Sequence, residues 1–147
     1  LTSKTLPGRM YTFFYDPKTK RDLPYYDRFP LIFKIDNFSG GFLGINMHYL
    51  PPVLRARLMD ALYPLATNRK YDETTRLRLT YEILNGASKY RFFKPTVKKY
   101  LNSHVRSRFI LINANQWDMA LFLPTERFVK KNKNFVWRES RQSIRRR

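Results

Sequence analysis

The feature that most constrains this chain is a large excess of positive charge on a sequence with the apolar content of a folded protein. Its 147 residues include 29 Lys and Arg but only 11 Asp and Glu, which gives a net charge of +18. Hydrophobic residues make up 43% and aromatic residues 16%, more than a disordered basic tail contains. Because a compact fold at this charge repels itself, we expect a polyanionic partner, either a nucleic acid or the acidic face of an assembly.

The charge is concentrated towards the C-terminal end. Residues 127–147 carry nine basic residues and one acid, Glu139, so the last seventh of the chain supplies nearly half of the net charge. Terminal basic runs of this kind often act as interaction arms. The length favours one domain. We therefore predict an extended N-terminal arm over residues 1–9, a single α+β domain over residues 10–126, and a basic, partly helical C-terminal arm over residues 127–147.

Aromatic-rich segments in the first fifty residues predict three short strands. They are MYTFFY at residues 10–15, LIFKI at 31–35 and FLGINMHY at 42–49. Loops rich in Pro, Asp and Gly separate these segments, and such loops are typical of the connections between strands. Short antiparallel strands joined by turns favour a small curled sheet, so we predict a half-barrel of the SH3 or OB kind. The residues expected in its core include Phe13, Phe33 and Phe109.

The apolar residues change period after Pro51. Leu54, Leu58 and Leu62 recur every four residues, which predicts a helix that begins at Pro52 and ends near Tyr63 and Pro64. Asp72 and Gly86 are typical helix start and stop residues. We predict a second helix between them, although the apolar residues in this span alternate as they do in a strand.

The last third of the chain predicts shorter elements. Pro95 is expected to open a short helix with Lys98 and Lys99 facing outward, residues 106–112 to form a strand, and residues 120–123 a further strand. Helical pieces are expected after residue 125. An N-terminal sheet followed by helices and one or two further strands is an α+β arrangement.

The sequence holds few of the residue types that perform chemistry. It has no Cys and no Gly-x-Ser-x-Gly motif, and His48 and His104 are its only histidines. Gly40-Gly41 is followed by Phe-Leu-Gly rather than by the Lys-Ser or Lys-Thr of a phosphate-binding loop. We predict that the protein is not an enzyme and needs no cofactor.

A metal site is also not predicted. Asn46 and His48 share a strand face, but no acid stands next to them in sequence. Asp27 and Asp36 could meet in space and bind Mg²⁺, so a metal-dependent nuclease is kept as a minor alternative. The ordinary role of such acids is local, in starting turns and capping helices.

Basic and aromatic residues are interleaved in the loop that leads to Tyr25 and in residues 89–94. Single-strand binders combine basic grooves with stacking rings, whereas duplex binders need only phosphate contacts. Tyr25, Tyr90 and Phe92 are expected to be exposed, and nothing indicates sequence-specific recognition. The residues predicted to contact nucleic acid or a partner are Lys18, Lys20, Arg21, Tyr25, Lys89, Tyr90, Arg91, Lys94, Lys98, Lys99, Arg138, Arg141, Arg145, Arg146 and Arg147.

Four stretches resemble a family of small virion or DNA-terminus proteins of T4-type tailed bacteriophages. They are MYTFFYDPKTK at residues 10–20, LPYYDRFPL at 23–31, GFLGINMHYLPP at 41–52 and LFLPTERF at 121–128, together about a quarter of the chain. The resemblance implies either a DNA end protector or a structural piece of the neck, tail or baseplate. It carries over no catalytic residues.

Two functions follow from the charge and the resemblance. The first is a non-enzymatic assembly component of a T4-type phage virion, in contact with other subunits in a multi-copy or hetero-oligomeric assembly and adjacent to DNA or acidic partners. The second is a sequence-independent DNA-binding protein that caps or protects DNA ends. Either function places the protein in the virion and, during assembly, in the host cytoplasm. No membrane partner is expected, because apolar runs such as residues 109–112 are far shorter than a spanning helix.

Overall fold

The computed structural model describes residues 5–18, 20–89 and 93–145, with side chains as far as Arg141 in the last helix. Helices and strands are mixed along the chain, so the α+β prediction is confirmed. In chain order the elements are β1 (Met10–Thr12), β2 (Tyr26–Asp27), β3 (Leu31–Phe38), β4 (Gly41–Asn46), α1 (Pro52–Ala66), α2 (Glu73–Ala87), β5 (Val97–Leu101), β6 (Ile110–Ile112), α3 (Trp117–Phe122), β7 (Phe128–Val129) and α4 (Lys133–Arg145).

A five-stranded antiparallel sheet in the order β5-β4-β3-β1-β6 forms the centre of the fold. Its three middle strands overlap the segments predicted from the first fifty residues, and β3 and β4 are joined by a tight turn in which Gly40 has a φ of +84°. The structure does not confirm an SH3- or OB-like half-barrel. The two edge strands come from the second half of the chain, so the sheet is not an N-terminal unit.

The helix predicted at Pro95 is wrong. Only a 3-10 turn, Lys94–Thr96, forms there, and Val97–Leu101 follow it as β5. Five residues of β5 pair with Gly41–Ile45 of β4. Without this pairing, the backbone amides and carbonyls on that edge of β4 would have no strand partner. Pairing across the sheet therefore outweighs the local preference for a helix, a gain that the local sequence does not reveal.

Two predictions near the C-terminal third also need correction. Residues 120–123, predicted as a strand, lie mostly in α3, because an apolar run of four residues has no period that separates strand from helix. The strand predicted over residues 106–112 is confined to Ile110–Ile112. The first helix continues to Ala66, two residues beyond its predicted end near Pro64.

Both faces of the sheet are covered. On one face Phe33, Ile45 and Met47 pack against the three helices α1 to α3, and the Phe33 ring meets Trp117 of α3 edge-on at 5.0 Å. On the other face Phe13 contacts several aromatic rings, among them Tyr100 at 5.4 Å. The prediction that Phe13 and Phe33 are core residues is confirmed. Phe109 is only half-buried and packs beside the second cluster.

The segment after residue 127 contacts the rest of the fold along most of its described length. β7 pairs with β2, and Val136 of α4 is completely buried. The Trp137 indole donates to the His48 carbonyl at 2.8 Å, and the Ser140 hydroxyl donates to the Tyr49 carbonyl at 3.2 Å. The division of the chain at residues 126 and 127 stays a prediction, but the described part of this segment packs against the sheet and the turn that follows β4.

A pair of glycine substitutions tests the sheet register. A Cβ at Gly41 would overlap the Tyr100 backbone carbonyl and come within 2.7 Å of the Phe38 ring, so Gly41→Ala is expected to lower the free energy of unfolding by about 1–3 kcal/mol or more. Gly86 lies inside α2, and a Cβ there would meet no described atom within 4 Å. Gly86→Ala should therefore raise the free energy of unfolding by about 0.5–1 kcal/mol. Urea denaturation of both variants measures the difference; equal effects would contradict the pairing of β4 with β5.

Candidate nucleic-acid interface

A cleft of about 510 Å³ lies between the loop before β2, the ends of β4 and β5, and the turn at Met47–Tyr49. We call it the tyrosine cleft, because five of the ten tyrosines in the chain line it. They are Tyr15, Tyr25, Tyr26, Tyr49 and Tyr100. Three lysines share the lining: Lys18, Lys98 and Lys99.

The rings of the cleft continue into the C-terminal segment. Tyr25 lies 6.2 Å from Tyr49 and meets Phe135 of α4 at 6.0 Å, while Tyr49 meets Phe128 of β7 edge-on at 5.2 Å. Lys131 lies 4.7 Å above the Phe135 ring. The described part of the C-terminal segment does not line the cleft, but its rings pack against the lining residues Tyr25 and Tyr49 and support them.

Lys98 is the unusual cation of this site. Its ammonium nitrogen lies 4.1 Å above the centre of the Tyr49 ring, within the range of a cation–π contact. No carboxylate in the described part of the chain forms a salt bridge with it. Burial lowers the pKa of Lys98 to about 8, because nothing nearby compensates the loss of water around the charge. An anion in the cleft would supply that compensation.

Asp27 and His48 form a buried contact next to the cleft, and each of their side chains is 1% exposed. Asp27 Oδ2 lies 2.6 Å from His48 Nδ1 and accepts from the Asn46 amide at 3.1 Å. Its Oδ1 accepts from the backbone N–H groups of Phe29 and Arg127. Burial alone would raise the pKa of Asp27, but these hydrogen bonds, the one from His48 foremost, hold it below its usual value.

The polar groups of this network are buried and paired with one another. The other ring nitrogen of His48, Nε2, lies 3.0 Å from the Thr125 hydroxyl, so acid, imidazole and hydroxyl stand in a row. The imidazole is closed to substrate, however, and every oxygen of the Asp27 carboxylate is already hydrogen-bonded. The contacts join β2, the turn after β4 and the segment before β7, which is a structural role.

The acids weighed as a Mg²⁺ pair do not meet. Asp36 lies opposite Leu43, whereas Asp27 is bonded to Asn46, three residues or about 10 Å further along β4. Asp36 is exposed and accepts from the N–H of its neighbour Asn37. Within the described ranges, no three His, Cys, Asp or Glu side chains come together as a metal site would require.

The model of the phage T4 terminal DNA protecting protein family matches residues 1–143. The chain belongs to that family. No curated protein and no solved structure matches it. The resemblance to T4-type phage proteins is thereby confirmed, and the family supports the DNA end protector more than it supports a component of the neck, tail or baseplate.

Membership of the terminal DNA protecting protein family bears on the other expectations too. The family is described by protection of DNA and not by a reaction. Across the residues that the structure describes, no helix combines the length and the apolar character that crossing a bilayer demands. DNA, rather than a second virion subunit, is the partner to which the family name points.

In this family member, four of the residues predicted to make contacts meet at the tyrosine cleft: Lys18, Tyr25, Lys98 and Lys99. Lys20 and Arg21 lie exposed in the adjoining loop. Lys130 holds that loop in place, because its ammonium donates to the carbonyls of Lys20 and Leu23 at 2.7 and 2.6 Å. Whether these side chains touch a ligand stays a prediction.

The other predicted contacts are more scattered. Arg138 and Arg141 are exposed on α4, where the Arg138 guanidinium lies 6.0 Å from the centre of the Phe135 ring. Lys94 lies in the turn before β5, and Lys89, which follows α2, is outside the cleft lining. The residues outside the described part are Tyr90, Arg91, Phe92, Arg146, Arg147 and, for its side chain, Arg145.

The structure adds residues that the sequence did not indicate. Tyr15 and Tyr49 stand in apolar segments, so they resemble core aromatics when only the sequence is considered. In the structure Tyr15, Tyr49 and Tyr100 are almost completely buried. Lys130 stands among several basic residues with nothing to distinguish it. Tyr25, predicted as exposed, is half-buried, since Phe135 packs against it. One sequence signal pointed to the cleft, namely the clustering of Tyr and Lys in Pro24-Tyr25-Tyr26 and Lys98-Lys99-Tyr100.

Removal of the Lys98 charge should stabilise the free protein. In Lys98→Met the side chain keeps its length but no longer carries a charge into a poorly hydrated site, so the melting temperature at pH 7 is expected to rise. Between pH 8 and about 10.4 the unfolded wild type holds a proton on Lys98 that the folded wild type has released, so the stability of the wild type rises with pH. The difference in melting temperature between Lys98→Met and the wild type should therefore shrink over this range. Thermal denaturation of both proteins at several pH values measures this difference.

The neighbouring substitution Lys99→Met is the matched control, because Lys99 is exposed. It should change the melting temperature little and without this dependence on pH. A Lys98→Met variant that melts below the wild type at pH 7 would contradict the account of Lys98 as an uncompensated cation.

Loss of the Asp27 carboxylate should be severe. Asp27→Ala leaves His48, Asn46 and two backbone N–H groups without their acceptor, and the expected loss of unfolding free energy is about 3–5 kcal/mol at pH 7. Because the pKa of Asp27 is lowered in the fold, the contribution is present above about pH 4 and disappears as the pH falls further. Chemical denaturation at several pH values measures it. Asp36→Ala, at an exposed site, should cost far less, and equal losses would refute the assignment.

Proposed function

We propose that this protein binds the ends of double-stranded DNA without recognising their sequence and protects them by occupying them. The observation that carries the proposal is the tyrosine cleft, in which five rings and three lysines converge, on a chain of net charge +18 that belongs to the terminal DNA protecting protein family. Phosphate contacts supply affinity that is independent of sequence. A tightly bound protein at a terminus excludes nucleases by steric hindrance alone, so protection needs no catalytic group.

The proposed contact surface runs from the basic loop across the cleft to α4. Lys20 and Arg21 flank one side of it and Arg138 and Arg141 extend it along the last helix. Further contacts are proposed for Lys89, Lys94, Arg91 and Arg145–Arg147, and ring contacts for Tyr90. We also propose that residues 127–147 serve as the basic arm of the protein and that it works in the virion and, during assembly, in the host cytoplasm.

Contact with other virion subunits is the second candidate function. Met119, Phe122 and Leu123, in and just after α3, are 67%, 47% and 48% exposed, which is unusual for three large apolar side chains so close in sequence. A protein partner at this segment would cover them. Such a contact is compatible with DNA end binding, because the segment does not line the tyrosine cleft.

End protection is testable with an exonuclease. Linear duplex DNA incubated with the protein should resist exonuclease digestion, whereas a restriction enzyme should still cut the same DNA at an internal site. A covalently closed circle of equal length should compete poorly for the protein. If the circle competes as well as the linear DNA, the protein binds duplexes without regard to ends, and assembly becomes the better account of its function.

The salt dependence of binding reports how many phosphates are neutralised. Log affinity falls with log salt, and each phosphate contact makes this slope steeper by about 0.9. Replacing Arg145, Arg146 and Arg147 by Gln should therefore make the slope shallower by up to about three. The matched control replaces three exposed basic residues outside the cleft by Gln: Arg69, Lys70 and Arg78. An equal change of slope in both variants would contradict a C-terminal basic arm on DNA.

A further inference from the structure

We propose that the tyrosine cleft receives the unpaired nucleotide at a DNA terminus, with its base against Tyr25 and Tyr26 and its phosphate on the lysines of the rim. This inference rests on the proposed function and gives it a mechanism for distinguishing an end from an internal position. It names the ligand chemistry as one nucleotide of a terminal strand.

The size of the cleft fits a single nucleotide. A volume of about 510 Å³ lies within the range of about 300–1,000 Å³ that is usual for small-ligand sites. A base inside a duplex could enter such a cleft only after it had been extruded from the stack, at a cost of a few kcal/mol. A terminal nucleotide has lost its stacking neighbour on one side, so its entry costs less. A cleft of this size thus discriminates by geometry between ends and internal sites.

The rings suit a base of any identity. Tyr25 and Tyr26 are half-buried and form the accessible wall, whereas Tyr15, Tyr49 and Tyr100 are at least nine-tenths buried and form the floor. Stacking of a base on an aromatic ring tolerates every sequence, because each base has a flat face. This matches the absence of any sequence-reading motif. The Asp27 carboxylate also borders the cleft, but its oxygens already accept four hydrogen bonds.

Three lysines supply the charge for a phosphate. Lys98 lies within the cleft, opposite Gly44 in the sheet, and Lys18 and Lys99 are exposed at its rim. Lys98 has no carboxylate partner in the described chain, so a phosphate is the counter-charge that the site lacks. A nearby phosphate favours the protonated lysine, and end affinity should therefore weaken as the pH rises through 8.

The groups that face Lys98 do not produce the same dependence on pH. Burial raises the pKa of the phenols of Tyr15, Tyr25, Tyr49 and Tyr100, which therefore stay neutral. Asp27 stays ionised, since its pKa is lowered. Lys18, Lys99 and Tyr26 complete the titratable lining, and Glu139 of α4 lies near Tyr25. Lys98→Arg keeps a cation at every pH and should remove the change near pH 8.

The experiment compares four DNA probes that share one duplex sequence. One carries a 5′-phosphorylated overhang of one nucleotide, one a 3′ overhang of one nucleotide, one has blunt ends, and one is closed by hairpins at both ends. Fluorescence anisotropy with the full chain measures the affinities. The wild type should bind a probe with an overhang most tightly and the closed probe most weakly. The overhang that is bound more tightly, 5′ or 3′, identifies which strand enters the cleft.

Two variants test the cleft itself. Tyr25→Ala and Lys98→Met should each reduce the preference for an overhang over the closed probe by about 10-fold, while affinity for the closed probe, which reports phosphate contacts alone, stays within about twofold for Tyr25→Ala. Tyr71→Ala and Lys70→Met, at exposed positions outside the cleft, should leave the preference unchanged. Variants that keep the full wild-type preference would overturn the inference.

The outcomes separate this inference from the proposed function. A wild type that binds closed and open probes equally refutes end binding, whereas a wild type that prefers open ends together with unaffected cleft variants refutes only the cleft. Should Tyr25→Ala fail to fold, photo-crosslinking of the wild-type chain to a terminal 5-iodouracil decides the matter. An adduct on Tyr25 or Tyr26 supports the inference, and adducts confined to other residues contradict it.

Discussion

The buried contact between Asp27 and His48 is the interaction on which the candidate site depends. It joins the short strand β2 to the turn that carries Tyr49, and the same Asp27 carboxylate binds the backbone of Arg127, where the C-terminal segment begins. The carbonyl of His48 in turn accepts from Trp137 of α4. Because one hydrogen-bonded centre reaches all of these parts, the walls of the tyrosine cleft are held at fixed positions relative to one another. A cleft assembled from loops and a terminal helix would otherwise have few constraints.

The second constraint is charge without compensation. Folding brings three lysines into a cleft lined mainly by aromatic rings, where Lys98 loses part of its hydration and forms no salt bridge with a carboxylate of the described chain. Such an arrangement lowers the stability of the free protein, and a sequence selected only for stability would have an apolar or paired residue at this position. The compromise is understandable if the missing counter-charge arrives with a ligand. The same reasoning applies to the chain as a whole, since a bound polyanion would offset its net charge of +18.

The tyrosine cleft also suggests how a small basic protein can act at ends without reading sequence. Phosphate contacts alone do not distinguish a terminus from the interior of a duplex, since both present the same backbone. A cleft that accepts one unpaired nucleotide does distinguish them, because only a terminus offers such a nucleotide at low cost. In this scheme the basic loop at Lys20 and Arg21 and the exposed arginines of α4 supply affinity, and the ring-lined cleft supplies the preference for ends.

The sequence by itself determined the α+β class, the two long helices, the three middle strands of the sheet and the basic character of the chain, because each depends on local pattern or on composition. It also carried the family resemblance. Only the tertiary structure decided that Tyr15, Tyr25, Tyr49 and residues 98–100 share one cleft, that residues 97–101 form a strand, and that the C-terminal segment packs against the tyrosines of the cleft. The physical reason is distance along the chain. Pairing of β5 with β4 and burial of the tyrosines arise between segments tens of residues apart, and no local window contains the partner that determines each outcome.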